Sequence, residues 1–230
     1  MSDPTTKKLL HQRPFATALP SALLASLQSG VMTTRYRGVP CYKSPFDLVL
    51  YSQLLDRLRP RTVIEIGTKY GGSALWFADA MGVRGISSGR VVSIDCEQLV
   101  TFADDRIDFL RGLAQNLAEV LDGARLAACP KPWLVVEDSS HLFDDVSSVL
   151  EFFDDHLTVG DYIVVEDGIL SQFLGSSYDR YENGPNRAVA AFLEAHSDYA
   201  IDVELCDHFG YNVTYSPNAW LRRSDGPTGL

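Results

Sequence analysis

Along the chain, short runs of consecutive apolar residues alternate with longer stretches in which apolar positions recur every three or four residues. TVIEIG, RVVSID, RIDFL, WLVVED and DYIVVED have the length and branched composition of strands buried on both faces. SALWFADAM, LAQNLAEVL, FDDVSSVLEFFDDHL and AVAAFLEAH carry the helical period between them. Such alternation predicts right-handed crossovers onto a parallel sheet. The last two runs, AIDVELC and NVTYS, flank DHFGY with no helix after them, which predicts a closing antiparallel hairpin. The expected fold is therefore α/β, a doubly wound, mostly parallel seven-stranded Rossmann-like sheet that ends in this hairpin.

Upstream, Phe46, Leu48, Val49, Leu50, Leu54, Leu55 and Leu58 follow a helical period that Ser44-Pro45 starts and Arg59-Pro60 ends. Residues 1–43 lack a strong period apart from a helix-like piece at Ser21 to Leu27, and are expected to form an arm or lid. Residues 44–223 are expected to form one domain, with 224–230 as a loose tail.

Composition fits this picture. Of 230 residues, 46% are hydrophobic and 22% charged, enough for a full core. A formal charge of −10 argues against a phosphate backbone as partner, so no nucleic acid is expected. Cys41, Cys96, Cys129 and Cys206 are scattered without a CxxC pair, which suggests reduced, mostly buried thiols. No signal peptide and no run long enough to span a membrane is visible, so a cytoplasmic protein without a membrane partner is expected. The arm and hairpin make a homo-oligomer plausible.

The first strand-like run ends in Glu65, and the turn after it holds Gly67, Gly71 and Ser73. Small residues there let a ligand approach the backbone, and the helix start offers free N–H groups. The spacing is neither GxGxxG nor a phosphate loop. An acid at this point repels a pyrophosphate but attracts an ammonium, as carried by S-adenosylmethionine. Asp95 ends the second run, where an acid can take a ribose hydroxyl pair or simply cap the next segment. Gly112, after the third run, allows an adenine ring to approach.

The sharpest constellation comes later. Glu137, Asp138 and His141 follow the fourth run, and Glu166 and Asp167 end the fifth. In a parallel sheet both strand ends reach the same edge. Several carboxylates converging there need a cation, and a hard divalent ion such as Mg²⁺ suits oxygen ligands. Asp138, Glu166 and Asp167 are the candidate ligands, helix capping being their plain structural alternative. His141 is placed to take a proton from a hydroxyl near the ion. The other histidines have no comparable setting. Residues 169–186 are long for a strand-to-helix connection and become a candidate substrate wall.

RGVPCYKSPFDLVLY, RTVIEIGTKYGGSALWFAD, VVSIDCE, EDSSH, GDYIVVEDG and YNVTYSPNAWLRR together resemble the cephalosporin hydroxylase and rhamnosyl O-methyltransferase family, over about Arg35 to Arg223. The resemblance implies a Mg²⁺-dependent transfer of a methyl group from S-adenosylmethionine to a hydroxyl of a small molecule, a sugar or other natural-product intermediate. It implies Asp138, Glu166 and Asp167 as metal ligands and His141 as general base. Glu65, Gly67, Gly71, Ser73 and Asp95 match cofactor positions, while Gly112-Leu113-Ala114 departs from the usual Gly-x-Ser. An accessory subunit that binds the cofactor without catalysis, and a hydroxylase-type oxidoreductase, are the rival readings.

Overall fold

The computed structural model describes residues 13–225 apart from Leu174. The arm carries helix α1 (Ser21–Val31) and a two-stranded ribbon, β1 (Arg35–Tyr36) with β2 (Val39–Pro40). The helix continues four residues past the apolar piece read from sequence, and buries Leu24 and Val31 against Ile169, Leu170 and Tyr215. Helix α2 (Pro45–Leu58) starts where Ser44-Pro45 predicts. Ser44 Oγ accepts from Phe46 N, proline stands in the first turn, and Arg59 ends the helix in the left-handed region.

The main sheet follows, with strands β3 (Thr62–Ile66), β4 (Arg90–Asp95), β5 (Ile107–Arg111), β6 (Trp133–Glu137), β7 (Tyr162–Val165), β8 (Tyr199–Ile201) and β9 (Trp220–Arg223). Their order is β5-β4-β3-β6-β7-β9-β8, and β9 alone runs against its neighbours. Helices α3 (Gly72–Val83), α6 (Phe143–Asp154) and α7 (Gly184–Ala195) are the long crossovers. The chain reverses strand order after β5, returning to the far side of β3 through β6, so the β3, β4 and β6 ends flank a switch point. Strands β3, β6 and β7 are buried at every position, as expected of strands covered on both faces.

Two expectations need correction. LAQNLAEVL is not one helix: it breaks into a 3₁₀ turn at Ala114–Asn116 and a short α4 (Leu117–Val120), before α5 (Gly123–Ala127). A helix this short, near a sheet edge, has little apolar surface to cover. The closing antiparallel pair exists, but its second strand is Trp220–Arg223, not Asn212–Ser216. The latter segment is a buried loop, reached through α8 (Val203–Cys206), in which Thr214 Oγ1 and Tyr215 N donate to Asp47 of α2. Asn212 and Asn218, both in the left-handed region, use their amides to bond the carbonyls of Arg13, Pro14 and Ala16, fastening the arm to the body. Of the cysteines, Cys41 and Cys206 are buried, Cys129 is partly so and Cys96 is exposed, with no disulfide among them. No helix among the described residues is long and apolar enough to cross a membrane. The tail expected at 224–230 lies outside the described residues from 226 onward.

Candidate active site

A cavity of about 580 Å³ opens at the carboxyl ends of β3, β4, β6 and β7, with the arm and the loop before α7 as its other walls. Its cofactor-like end is made mainly of backbone. Gly67 sits at φ 108°, and a Cβ there would lie 1.9 Å from the carbonyl oxygen of Asp138. Only glycine lets these two strand ends come so close. Gly71, at φ 82°, turns the chain into α3, and buried Ser73 lies in that helix's first turn on the cavity wall.

Asp95 is aimed by two backbone N–H groups, from Lys69 to Oδ2 (2.7 Å) and from Glu97 to Oδ1 (2.9 Å). It lines the cavity with Gly112, whose own lack of a side chain is required by Val120 Cγ2, 2.2 Å from where a Cβ would stand. Glu65 differs from its expected position. It is fully buried behind the wall, where Oε2 accepts from Ser93 Oγ (2.6 Å) and Oε1 has no partner. Burial raises its pKa above the ordinary carboxylate value, and nearby Lys43 opposes that rise.

The other end is built from charged side chains. Asp138, His141 and Asp167 each offer a ligand atom, and these atoms lie within 4.8 Å of one another. His141 Nε2 is 3.4 Å from Asp167 Oδ2, the imidazole stands edge-on to Tyr181 at 5.1 Å, and Nδ1 is buried without a partner. Both His141 (φ 63°) and Asp167 (φ 62°) occupy the left-handed region, which costs a non-glycine residue about 1–3 kcal/mol. Two such residues meeting across a cavity mark a place where geometry has been kept against local preference. Burial pushes the Asp167 carboxyl up to about 6, against the pull of His141.

Glu166, expected among the metal ligands, is not brought into this group. Its Oε2 accepts from Lys43 Nζ at 2.6 Å and its Oε1 from Tyr51 OH at 2.6 Å, so both oxygens are engaged in the interior. Lys43 Nζ also donates to Asp138 Oδ2 at 2.6 Å. Burial opposes the Lys43 charge, but Asp138, Glu166 and Glu65 outweigh it and raise its pKa well above the ordinary value. Sequence reasoning missed Lys43 and Tyr51. The one local signal was a lysine placed directly before a helix cap in an otherwise apolar segment.

Tyr178 and Tyr181 come from the 169–186 connection and stack at 6.3 Å, while Gln28 of α1 donates to Tyr178 OH at 2.9 Å. The expected long loop thus lines the cavity together with the arm. A second acid–histidine cluster, Asp154, His196 and Asp198, gives His196 a setting the sequence did not reveal, but Arg223 already bonds both aspartates there. It is an ion-pair network on the outer surface.

A family profile for "Rhamnosyl O-methyltransferase/CmcI" matches residues 28–224. Rhamnosyl O-methyltransferase of Mycobacterium tuberculosis H37Rv is 31% identical over 197 residues, covering 83% of this chain and 78% of the relative. The Mycobacterium leprae enzyme of the same name is 32% identical and covers 83% of each chain. Among solved structures, an apo form of CmcI aligns with a TM-score of 0.65 at 22% identity, covering 93% of this chain and 87% of that one. The D160 form described as Mg-SAM aligns at 0.62 and 23% identity, over 84% and 77%. These two show the shared fold. By the profile and the mycobacterial relatives, the chain belongs to the rhamnosyl O-methyltransferase/CmcI family and is an S-adenosylmethionine-dependent O-methyltransferase.

Proposed function

We propose that the enzyme methylates a hydroxyl of a sugar, or of a natural product bearing one, with the help of a divalent ion, Mg²⁺ being the natural choice for carboxylate ligands. The observation that carries this reading is the meeting of Asp138, His141 and Asp167 on one wall of the cavity that the glycine turn opens. Three donors so close suit a cation, and the two carboxylates favour a hard one. The close approach at Gly67, with Ser73 on the same wall, fits a cofactor that brings its amino-acid end to the β3 end.

When bound, S-adenosylmethionine supplies the activated methyl group and the ion acidifies the acceptor hydroxyl. The protein's own groups do the rest. Asp95, Gly67, Gly71, Ser73 and Gly112 fix the cofactor end. Asp138 and Asp167 hold the ion, with Glu166 behind them. Asp167, 3.4 Å from Nε2, orients His141, whose imidazole on the cavity wall takes the acceptor's proton. The stacked Tyr178 and Tyr181 and the ring of Tyr42 offer flat faces for the C–H side of a sugar ring. In this scheme residues 44–223 form the catalytic body and the arm covers the cavity.

Radiolabelled methyl transfer to a panel of rhamnosyl glycosides tests the acceptor class, and transfer only to acceptors without a sugar overturns it. A second reading gives a nitrogen of His141 to the ion, since that residue belongs to the same close group. His141→Ala separates the two. A base loses turnover with Mg²⁺ affinity intact, whereas a ligand loses both.

A further inference from the structure

Lys43 belongs to the arm, yet its ammonium lies inside the body and is only 3% exposed. It joins one oxygen from each of the two adjacent strand ends, Asp138 after β6 and Glu166 after β7. Without it, Asp138, Glu166 and Asp167, with Glu65 deeper in the wall, would face one another with only His141 and Lys69, both acting on Asp167, left to offset their charge. Buried carboxylates in that arrangement repel strongly, and removing the partner of a buried ion pair is among the costlier single changes. A simpler role as packing in the core does not account for an ammonium aimed at two acids of the candidate metal site. Nor does a surface salt bridge, because Glu166 is itself buried.

We infer that Lys43 is a positioning residue that serves as a resident cation, keeping the β6 and β7 carboxylates assembled before the divalent ion arrives and weakening that ion's binding by its own charge. This rests on the reading of Asp138 and Asp167 as ion ligands. Two effects of opposite sign follow from one substitution. Loss of the ammonium destabilises the metal-free protein, because the carboxylates lose their counter-ion. It also tightens divalent-ion binding, because the ion no longer meets a neighbouring positive charge and now relieves the repulsion. Mere damage to the site loosens binding, so tightening is a signature a structural role does not produce.

The test is calorimetric titration of Mg²⁺ alone, and of Mn²⁺ alone, into the metal-free full chain and its Lys43→Met variant, with thermal melting of each at zero and saturating ion. Lys43→Met is expected to melt lower without metal, to bind Mg²⁺ at least tenfold more tightly, and to gain more in melting temperature on adding ion. Should Lys43→Met not stay folded without metal, Lys43→Gln, which keeps an N–H donor, carries the same titration and the same expected direction. Equal or weaker ion binding by the folded variant overturns the role of Lys43 and leaves the metal reading standing. No ion binding by either protein overturns both.

Discussion

The two ends of the cavity are made by different means. At the β3 and β4 ends, the binding surface is backbone: Gly67 and Gly71 have conformations that a side chain would strain, and two main-chain N–H groups aim Asp95. At the β6 and β7 ends it is side-chain charge: Lys43 and Tyr51, which arrive from far away in the chain, hold Asp138 and Glu166, and His141 lies against Asp167. A backbone-built site should fail through shape, losing its ligand when space is filled. A charge-built site should fail through chemistry, with turnover and ion affinity changing while the cofactor still binds.

Gly67→Ala breaks this division most severely. Its Cβ would meet the Asp138 carbonyl at 1.9 Å, and the backbone strain adds about 1–3 kcal/mol. Calorimetry should show S-adenosylhomocysteine binding weakened more than 100-fold, or thermal melting should show a variant that no longer folds. Wild-type-like affinity would contradict the packing argument. Next in size, Asp138→Asn should lower turnover by about 10³-fold while S-adenosylhomocysteine affinity changes by less than about threefold, as expected when a side chain acts on the reaction and leaves cofactor binding alone. Equal losses of turnover and cofactor binding would show that the two ends are not separable.

His141→Ala is expected to lower turnover at saturating substrate by about 10²–10⁴-fold, the usual contribution of a general base. Near-normal turnover would remove it from that role. The smallest effect concerns Asp47, which is buried, accepts from Thr214 Oγ1 and from Tyr215 N, and has its carboxyl pushed up to about 6 by burial. The folded state keeps this proton at pH values where the unfolded chain has released it. Its stabilising effect is therefore complete below about pH 4 and lost as pH rises through about 6. Denaturant melts of Asp47→Asn from pH 4 to 7 should show a flatter pH dependence than wild type, by about 2 kcal/mol across that window. Identical slopes would refute the elevated pKa.

The sequence shows the β3 to β7 strands and α2 directly, because consecutive branched residues and a Ser-Pro start leave little choice locally. It also shows that acids gather at two neighbouring strand ends, since parallel topology brings the ends of equivalent runs to one edge. It does not show how those acids divide. Lys43 lies 95 positions from Asp138 and 123 from Glu166, and no periodicity links an arm lysine to a strand end across that distance. Glu65 illustrates the converse error. Its place before the glycines suggests a group facing the ligand, whereas the pleat turns it toward Ser93, behind the wall. The buried loop at 212–216 has the sequence pattern of a strand for a related reason, as branched and aromatic residues buried by packing look like those buried by a sheet.

The central claim, that carboxylates and His141 at the β6 and β7 ends run a metal-assisted methyl transfer, is tested most directly by one assay. Transfer of labelled methyl from S-adenosylmethionine to a rhamnosyl glycoside is followed before chelation, after chelator treatment and gel filtration, and after Mg²⁺ is restored. The account predicts activity, its loss, and its return, with S-adenosylhomocysteine binding unchanged throughout. Undiminished turnover in the chelated protein would contradict it.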